Sequence, residues 1–375
     1  MADFPPAGRP LGGIGFLLGP PIPITQMDLI SDLILQRGVG PPTYTRPTIG
    51  TFDDVSIELN TTAAIDIARF EINGLLMEGA SVNLLLRAED TADGIWSARS
   101  GAIKTSGASV TTPDGGSVTT RFQFAGNGEV VRQSLNTDAT NKTYSYYIFI
   151  HSTGGVTSIR CDYGDGASQD IAISPTGGFV RINFNALTKG ASDFVDITTS
   201  GQTYTGTFEF SLWGLDLEPL PFASSYIKTI ALPASRAKDT LNMLPVNIPA
   251  PTENYTVSME VDILGLDPTK TFTVYSVDGE TDRKCEINTT TGLIEATHGG
   301  ITVTSTTVMV PRINHEIKVA VDGTNITLFV DGVQEAQAVK GTVTGTATAI
   351  SIGNAAGLKQ IFGHVKFFKI FDRAA

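Results

Sequence analysis

The stretch Tyr255-Thr256-Val257-Ser258-Met259-Glu260-Val261-Asp262-Ile263 decides the fold. Apolar and polar side chains alternate through it without a break. A β-strand sends successive side chains to opposite faces, so here one face is apolar and the other polar. On a helix the same residues would scatter around the whole circumference. The segment reads as a half-buried strand.

The same period returns downstream. Ile317, Val319 and Val321 alternate with their neighbours up to Asp322-Gly323; then Ile326, Leu328 and Val330 lead to Asp331-Gly332. Asp-Gly between alternating runs predicts hairpins, because both residues tolerate the positive φ of short hairpin turns. The chain closes on an apolar strand around 365–371, suited to pairing near the first strand of this unit. Upstream, Pro233, Pro245, Pro249 and Pro251 mark a connection, and a second set of strands precedes it. Phe122 and Phe124 alternate with polar residues, 144–150 is an aromatic and β-branched run, and 179–184 and 208–212 follow. Pro113-Asp114-Gly115-Gly116, Gly154-Gly155, Asp165-Gly166 and Gly177-Gly178 supply turns between them. Short strands at this spacing, with no helical period, predict sandwiches or jelly rolls.

The N-terminal part reads differently. Residues 1–24 are rich in Pro and Gly and should be extended. Thr25 then resembles a helix N-cap, and Met27, Ile30, Leu33 and Ile34 recur at helical spacing until Gly38. One short attachment helix is predicted, too short to be stable alone, with an apolar stripe that must dock on another chain or on this one. Short strands are predicted at 43–45, 57–59, 65–70 and 84–87. The predicted fold is therefore all-β. Two antiparallel, jelly-roll-like β-sandwich domains occupy 91–228 and 229–375, after an extended arm with one short helix (1–40) and a short β connector (41–90).

Composition bounds the function. With 375 residues, 41% of them hydrophobic, the chain can fill more than one core. Its 39 glycines follow no three-residue period, which excludes a collagen-like rod. A net charge of −12 and no basic run argue against binding nucleic acid. The apolar segment from Leu11 to Ile24 is cut by Gly12, Gly13, Gly15, Gly19, Pro20, Pro21 and Pro23, so neither a signal peptide nor membrane insertion is expected. Cys161 and Cys285 have no Cys or His at metal-ligand spacing and read as buried or free thiols, suited to assembly in a reducing cytoplasm.

Catalytic signatures are missing. His151, His298, His315 and His364 sit in no metal or catalytic spacing, and no nucleophile elbow, zinc-protease motif, phosphate loop or dinucleotide fingerprint occurs. Asp216 and Glu218 on one strand face could be nominated as a carboxylate pair for glycoside hydrolysis, but read as a solvated edge. Two acidic loops offer oxygen ligands: Asp162 with Asp165, and Asp278 with Glu280 and Asp282. A structural calcium is the one cofactor they would suit, and without EF-hand spacing a plain turn is the favoured reading. Trp96, Tyr163, Tyr204 and Trp213 are the possible platforms for a stacked pyranose ring, weighed against a core role.

Three stretches carry a family likeness. The first is Tyr44-Thr45-Arg46-Pro47-Thr48-Ile49 with Ile67-Ala68-Arg69-Phe70 and the run from Gly74 to Leu86. The second is Leu212-Trp213-Gly214-Leu215-Asp216-Leu217-Glu218, followed by Phe222-Ala223-Ser224-Ser225-Tyr226-Ile227-Lys228-Thr229. The third runs from Ser235-Arg236-Ala237-Lys238-Asp239 to the C-terminal segment that begins at Gly363. Together they resemble bacteriophage tail and minor virion structural proteins, with a carbohydrate-binding-module-like sandwich followed by a concanavalin-A or laminin-G-like one. Ala68 and Lys228 stand where the family has proline, and Met77 where it has isoleucine. The resemblance implies virion membership, assembly in the host bacterial cytoplasm, and a non-enzymatic tail, fibre, baseplate or head-decoration role. It brings no catalytic residues. The expected partners are other virion proteins, further copies of the chain (a trimer favoured) and host surface polysaccharide. The alternatives are a polysaccharide depolymerase, against which the lack of a repetitive β-helix counts, and a secreted adhesion module. Asn-x-Ser/Thr sequons at Asn60, Asn141, Asn254, Asn288 and Asn325 superficially suit the latter.

Overall fold

The computed structural model describes residues 22–53, 59–135, 142–166, 168–175, 177–199, 201–280, 282–355 and 359–373. Among them the chain is strand and turn, with a single 3₁₀ turn at Pro245–Asn247 and no α-helix. The strand pairs are antiparallel.

Two sheets enclose the larger core. In one, the order is Leu35–Arg37, Thr25–Asp28, Gly363–Phe371, Tyr255–Val261, His315–Val321, Asn325–Val330 and Val333–Val339, with Gly74–Met77 also paired to the terminal strand. The other runs Ile301–Val308, Leu293–His298, Arg283–Asn288, Thr271–Glu280, Gly345–Ile352, Thr240–Met243 and Thr43–Thr45. Tyr255, Val257, Met259 and Val261 all face the core between them, as their alternation requires. The terminal strand pairs Tyr255–Val261 along its length, Val257 opposite Ile370 and Met259 opposite Phe368.

The smaller core lies between the sheet Ile103–Thr111, Ser117–Phe124, Phe208–Glu218, Lys142–Ser152, Val180–Leu187 and the sheet Gln169–Ala172, Ser158–Tyr163, Phe194–Thr198, Val130–Ser134, Ser97–Arg99. Phe122, Phe124, Phe208 and Phe210 form one aromatic cluster in it, with Phe124 edge-on to Phe210 at 5.1 Å.

Both Asp-Gly hairpins form, by different means. At Asp331-Gly332 the two residues have φ of 51° and 80°, the positive pair that a two-residue turn needs. At Asp322-Gly323 the loop holds a third residue, Thr324. There the Asp322 carboxylate accepts from the amides of Thr324 and Asn325 at 2.6 and 2.5 Å, an Asx turn in which Gly323 has no positive φ.

The predicted attachment helix does not form. Thr25–Asp28 is a strand whose residues pair Ile370, Lys369, Phe368 and Phe367 of the terminal strand. Met27 is fully buried in the larger core, Leu33 packs partly against it, and Ile30 and Ile34 are exposed, so the four make no stripe. The terminal strand would otherwise present an open edge, and pairing satisfies a row of backbone groups that an isolated two-turn helix would not. The segments read as an arm (1–40) and a connector (41–90) are likewise not separate units where described, since 25–28, 43–45 and 74–77 add strands to the sheets of the larger core. Of the connector strands, Thr43–Thr45 is as expected. Residues 65–70 turn at Asp66 (φ 60°), and the strand expected at 84–87 lies at Ser81–Asn83. Part of the 57–59 strand lies outside the described residues.

Where the two cores meet, a buried charge cluster ties distant segments together. Arg69 pairs Glu78 at 2.6 Å and Asp239 at 2.5 Å, all three side chains without solvent exposure. Arg236 reaches Glu78 at 3.2 Å, Tyr44 donates to Asp239 at 2.7 Å, and Ser225 donates through both amide and hydroxyl to Glu78. Burial alone would raise the Glu78 carboxyl, but Arg236 and Arg69 outweigh it and hold the group at about 2. Asn83 completes the junction, donating to the carbonyls of Leu215 and Ile227 and accepting from the Leu217 amide. All three stretches that carry the family likeness converge on this cluster.

Candidate functional site

Three of the four possible ring platforms are core residues. Trp96 and Tyr163 sit in the smaller core, and Trp213 is packed between Tyr147 and Tyr226 at 5.5 and 5.2 Å. Their burial leaves no ring face for a sugar. Tyr204 is half-buried with its hydroxyl bonded to Thr199. Asp216 and Glu218 are buried too, not on a solvated edge. Glu218 accepts from Ser81 at 2.6 Å and from the Ser224 amide at 3.1 Å, while burial, then the Glu218 charge, pushes the Asp216 carboxyl well up.

The acidic loops are braced by protein groups. Asp165 accepts from Ser192 at 2.6 Å, Asp278 from Ser276 at 2.9 Å, and Asp282 from Thr344 at 3.1 Å, while Glu280 takes both arms of the Arg283 fork. Burial raises the Asp162 carboxyl above its usual range. Among the described residues no three His, Cys, Asp or Glu side chains converge as a cation site. Both cysteines are buried and unbridged.

A different place has the shape of a site. The residues of the strands at 283–288 and 293–298 alternate, so that Cys285, Ile287, Ile294 and Ala296 enter the larger core while Glu286, Asn288 and Glu295 face outward. That outward face is the floor of a cleft of about 840 Å³, within the roughly 300–1,000 Å³ of small-molecule sites. One wall is the turn at 268–271. A second is Lys359-Gln360 with Phe362, and a third is Gly79-Ala80 with Lys238.

The buried charge cluster stands directly behind this third wall. Glu78 and Asp239 each neighbour a wall residue, the Asp239 amide donates to the Glu78 carbonyl at 2.9 Å, and Arg236 donates to the Gly79 carbonyl at 3.3 Å. Gly79 is required there: a Cβ on it would come within 2.5 Å of the Phe362 ring.

The cleft is polar and charged. Lys359 donates to Glu286 at 2.8 Å and Lys284 donates to the other oxygen at 2.6 Å. Burial pushes the Glu286 carboxyl up, but these two bonds overcome it and keep it below its usual range, hence ionised. Asn288 donates to Glu295 at 3.1 Å. Lys270 pairs Asp267 at 3.1 Å and lies 5.2 Å from the centre of the Phe362 ring. Gln360 stands apart. It is 8% exposed, its Nε2 and Oε1 are both shut off from solvent, and among the described residues neither has a hydrogen-bond partner.

Sequence reasoning missed this site. Its walls come from residues near 79, 238, 270 and 360, and no local spacing joins them.

No family model and no curated protein matches the chain. Several solved structures overlap part of it. The binding domain of Paraclostridial Mosquitocidal Protein 1 matches at 12% identity and a TM-score of 0.29, over 36% of this chain and 38% of its own length. The CBM40 domain of the Ruminococcus gnavus IT-sialidase matches at 17% identity and 0.28, over 33% of this chain and 78% of that one. The Caenorhabditis elegans galectin LEC-6 matches at 14% and 0.27, over 35% of this chain and 89% of that one. At such scores these likenesses decide nothing about a ligand, so the reading of the cleft rests on its own residues.

Proposed function

We propose that this chain is a non-enzymatic structural protein of a bacteriophage particle that contacts host-surface glycans through the cleft beside Gln360. The observation that carries the glycan contact is the polar floor of the cleft, where ionised Glu286, Asn288 and Glu295 stand side by side. Carboxylates and a carboxamide together present several acceptors and a donor, matched to neighbouring sugar hydroxyls. Thr271 and the lysines add further polar groups.

Virion membership is supported by the order of the three family-like stretches, and with it come other virion proteins and further copies of the chain, a trimer favoured, as partners. The non-enzymatic reading is supported by the state of Glu286: glycoside hydrolysis needs a carboxyl kept protonated, and Lys284 and Lys359 hold this one ionised.

Two measurements test the proposal. On an array of bacterial surface glycans the protein should bind a subset, and Asn288→Ala/Glu295→Ala should abolish that signal while the far-UV circular dichroism is unchanged. No array binding, or binding indifferent to Asn288→Ala/Glu295→Ala, removes the glycan contact. Immunogold microscopy of virions should place the chain on the particle, and an unlabelled particle removes virion membership. Release of reducing ends from the bound polysaccharide would convert the reading to a depolymerase.

A further inference from the structure

The loop at 91–96 wraps a single ammonium group. Lys104 Nζ donates to the carbonyls of Asp93 at 2.8 Å, Trp96 at 2.9 Å, Ala92 at 3.1 Å and Thr91 at 3.3 Å. An ammonium has three N–H groups, so four acceptors are more than it can bond one to one. They form a coordination shell, of the kind in which backbone carbonyls replace the water around an ion. We infer that residues 91–96 are a monovalent-cation-binding loop whose resident cation is the chain's own Lys104 ammonium, and that the loop takes a free potassium or ammonium ion once that side chain is removed.

The loop is wound for this. The Asp90 amide donates to the Arg87 carbonyl at 3.1 Å, the Asp93 amide to the Asp90 carbonyl at 3.2 Å and the Trp96 amide to the Asp93 carbonyl at 3.2 Å, three turns in succession. The Ile95 amide donates to the Asp93 carboxylate at 3.0 Å, and the Trp96 indole N–H anchors the far end on the Arg87 carbonyl at 3.1 Å. Four carbonyl dipoles aimed at one point repel one another unless a cation lies between them. Burial works against the Lys104 charge and draws its pKa down, while Asp93 and Asp90 support it. A divalent ion suits the shell less, because calcium needs its oxygens at about 2.3–2.6 Å. Lys104 lies on Ile103–Thr111, the edge strand of one sheet around the smaller core, and the loop leads into Ser97–Arg99, the edge strand of the other. The shell therefore staples the two sheets along that side. Ala92 on its rim is exposed, which leaves a way in for an ion.

Thermal unfolding of the full chain tests the inference. In choline chloride, Lys104→Ala should lower the unfolding midpoint by at least about 4 °C. Replacing choline by potassium or ammonium at about 0.2 M should restore at least about half of that loss, while the wild type is indifferent to the exchange. Choline is too large for the shell and keeps the ionic strength constant. A midpoint unmoved by Lys104→Ala, or a loss that potassium and ammonium fail to restore, overturns the inference, and so does restoration by calcium alone. If Lys104→Ala does not fold in any of these salts, NMR of the wild-type chain with isotope-labelled lysine decides. An ammonium held by four carbonyls exchanges its protons slowly, so the Nζ signal that Lys104→Arg removes should persist at neutral pH. Its absence there overturns the inference equally.

Discussion

His364 shows what a single side chain can do in this fold. It lies on the terminal strand with Nδ1 2.7 Å from Asp262 and Nε2 2.8 Å from Glu71. Burial would lower its pKa, but the two carboxylates overcome that and raise it to about 9. A group whose folded pKa is raised contributes fully below its unfolded value, near 6.5, and loses that contribution as pH climbs through about 9. At most about 3.5 kcal/mol is involved, at roughly 1.4 kcal/mol per pKa unit. Denaturant unfolding followed from pH 6 to 10 should show stability falling across that window, and His364→Gln should flatten the curve. An unchanged slope in the variant would refute the assignment. Arg69 works on a larger scale. Arg69→Met leaves Glu78 and Asp239 buried without their shared cation and should cost about 3–5 kcal/mol in denaturant unfolding. A loss under about 1 kcal/mol would contradict a dry, fully paired cluster.

Among elements, the strand Thr25–Asp28 is the instructive one. Its side-chain spacing permitted a helix, and its actual state is set by residues 367–370 at the far end of the chain, which no local period reveals. The strand Tyr255–Val261 was legible because burial of one face imprints period two on the residues themselves, and the Asp331-Gly332 turn because its φ values admit few residue types. Met27 gives the N-terminal strand its hold, buried beside the terminal strand. Met27→Asp should cost more than about 3 kcal/mol, since it both empties a core position and buries a charge. Light scattering should then show self-association through the freed edge of Gly363–Phe371. A monodisperse variant of unchanged stability would show that the strand is not needed there.

At the scale of the molecule, the all-β class could be read from the sequence, while the way the sheets are joined could not. Arg69, Glu78, Arg236 and Asp239 stood in the very stretches that carry a family likeness, yet their pairing spans up to 170 residues and exists only once the two cores meet. The cleft follows from that junction, because the ion pairs of Glu78 and Asp239 back the wall that carries Gly79 and Lys238. Aromatic residues drew the sequence reading toward Trp96, Tyr163 and Trp213, which packing took into the interior. Glu286, Asn288 and Glu295 carried no signal of their own, since the alternation that turns them outward is common to every half-buried strand. The most direct measurement is a crystal structure of the full chain with the saccharide selected on the array. The account predicts sugar density in the cleft, with hydroxyls bonded to Asn288 and to the carboxylates of Glu286 and Glu295. Sugar density elsewhere on the molecule, with the cleft holding only solvent, would contradict it.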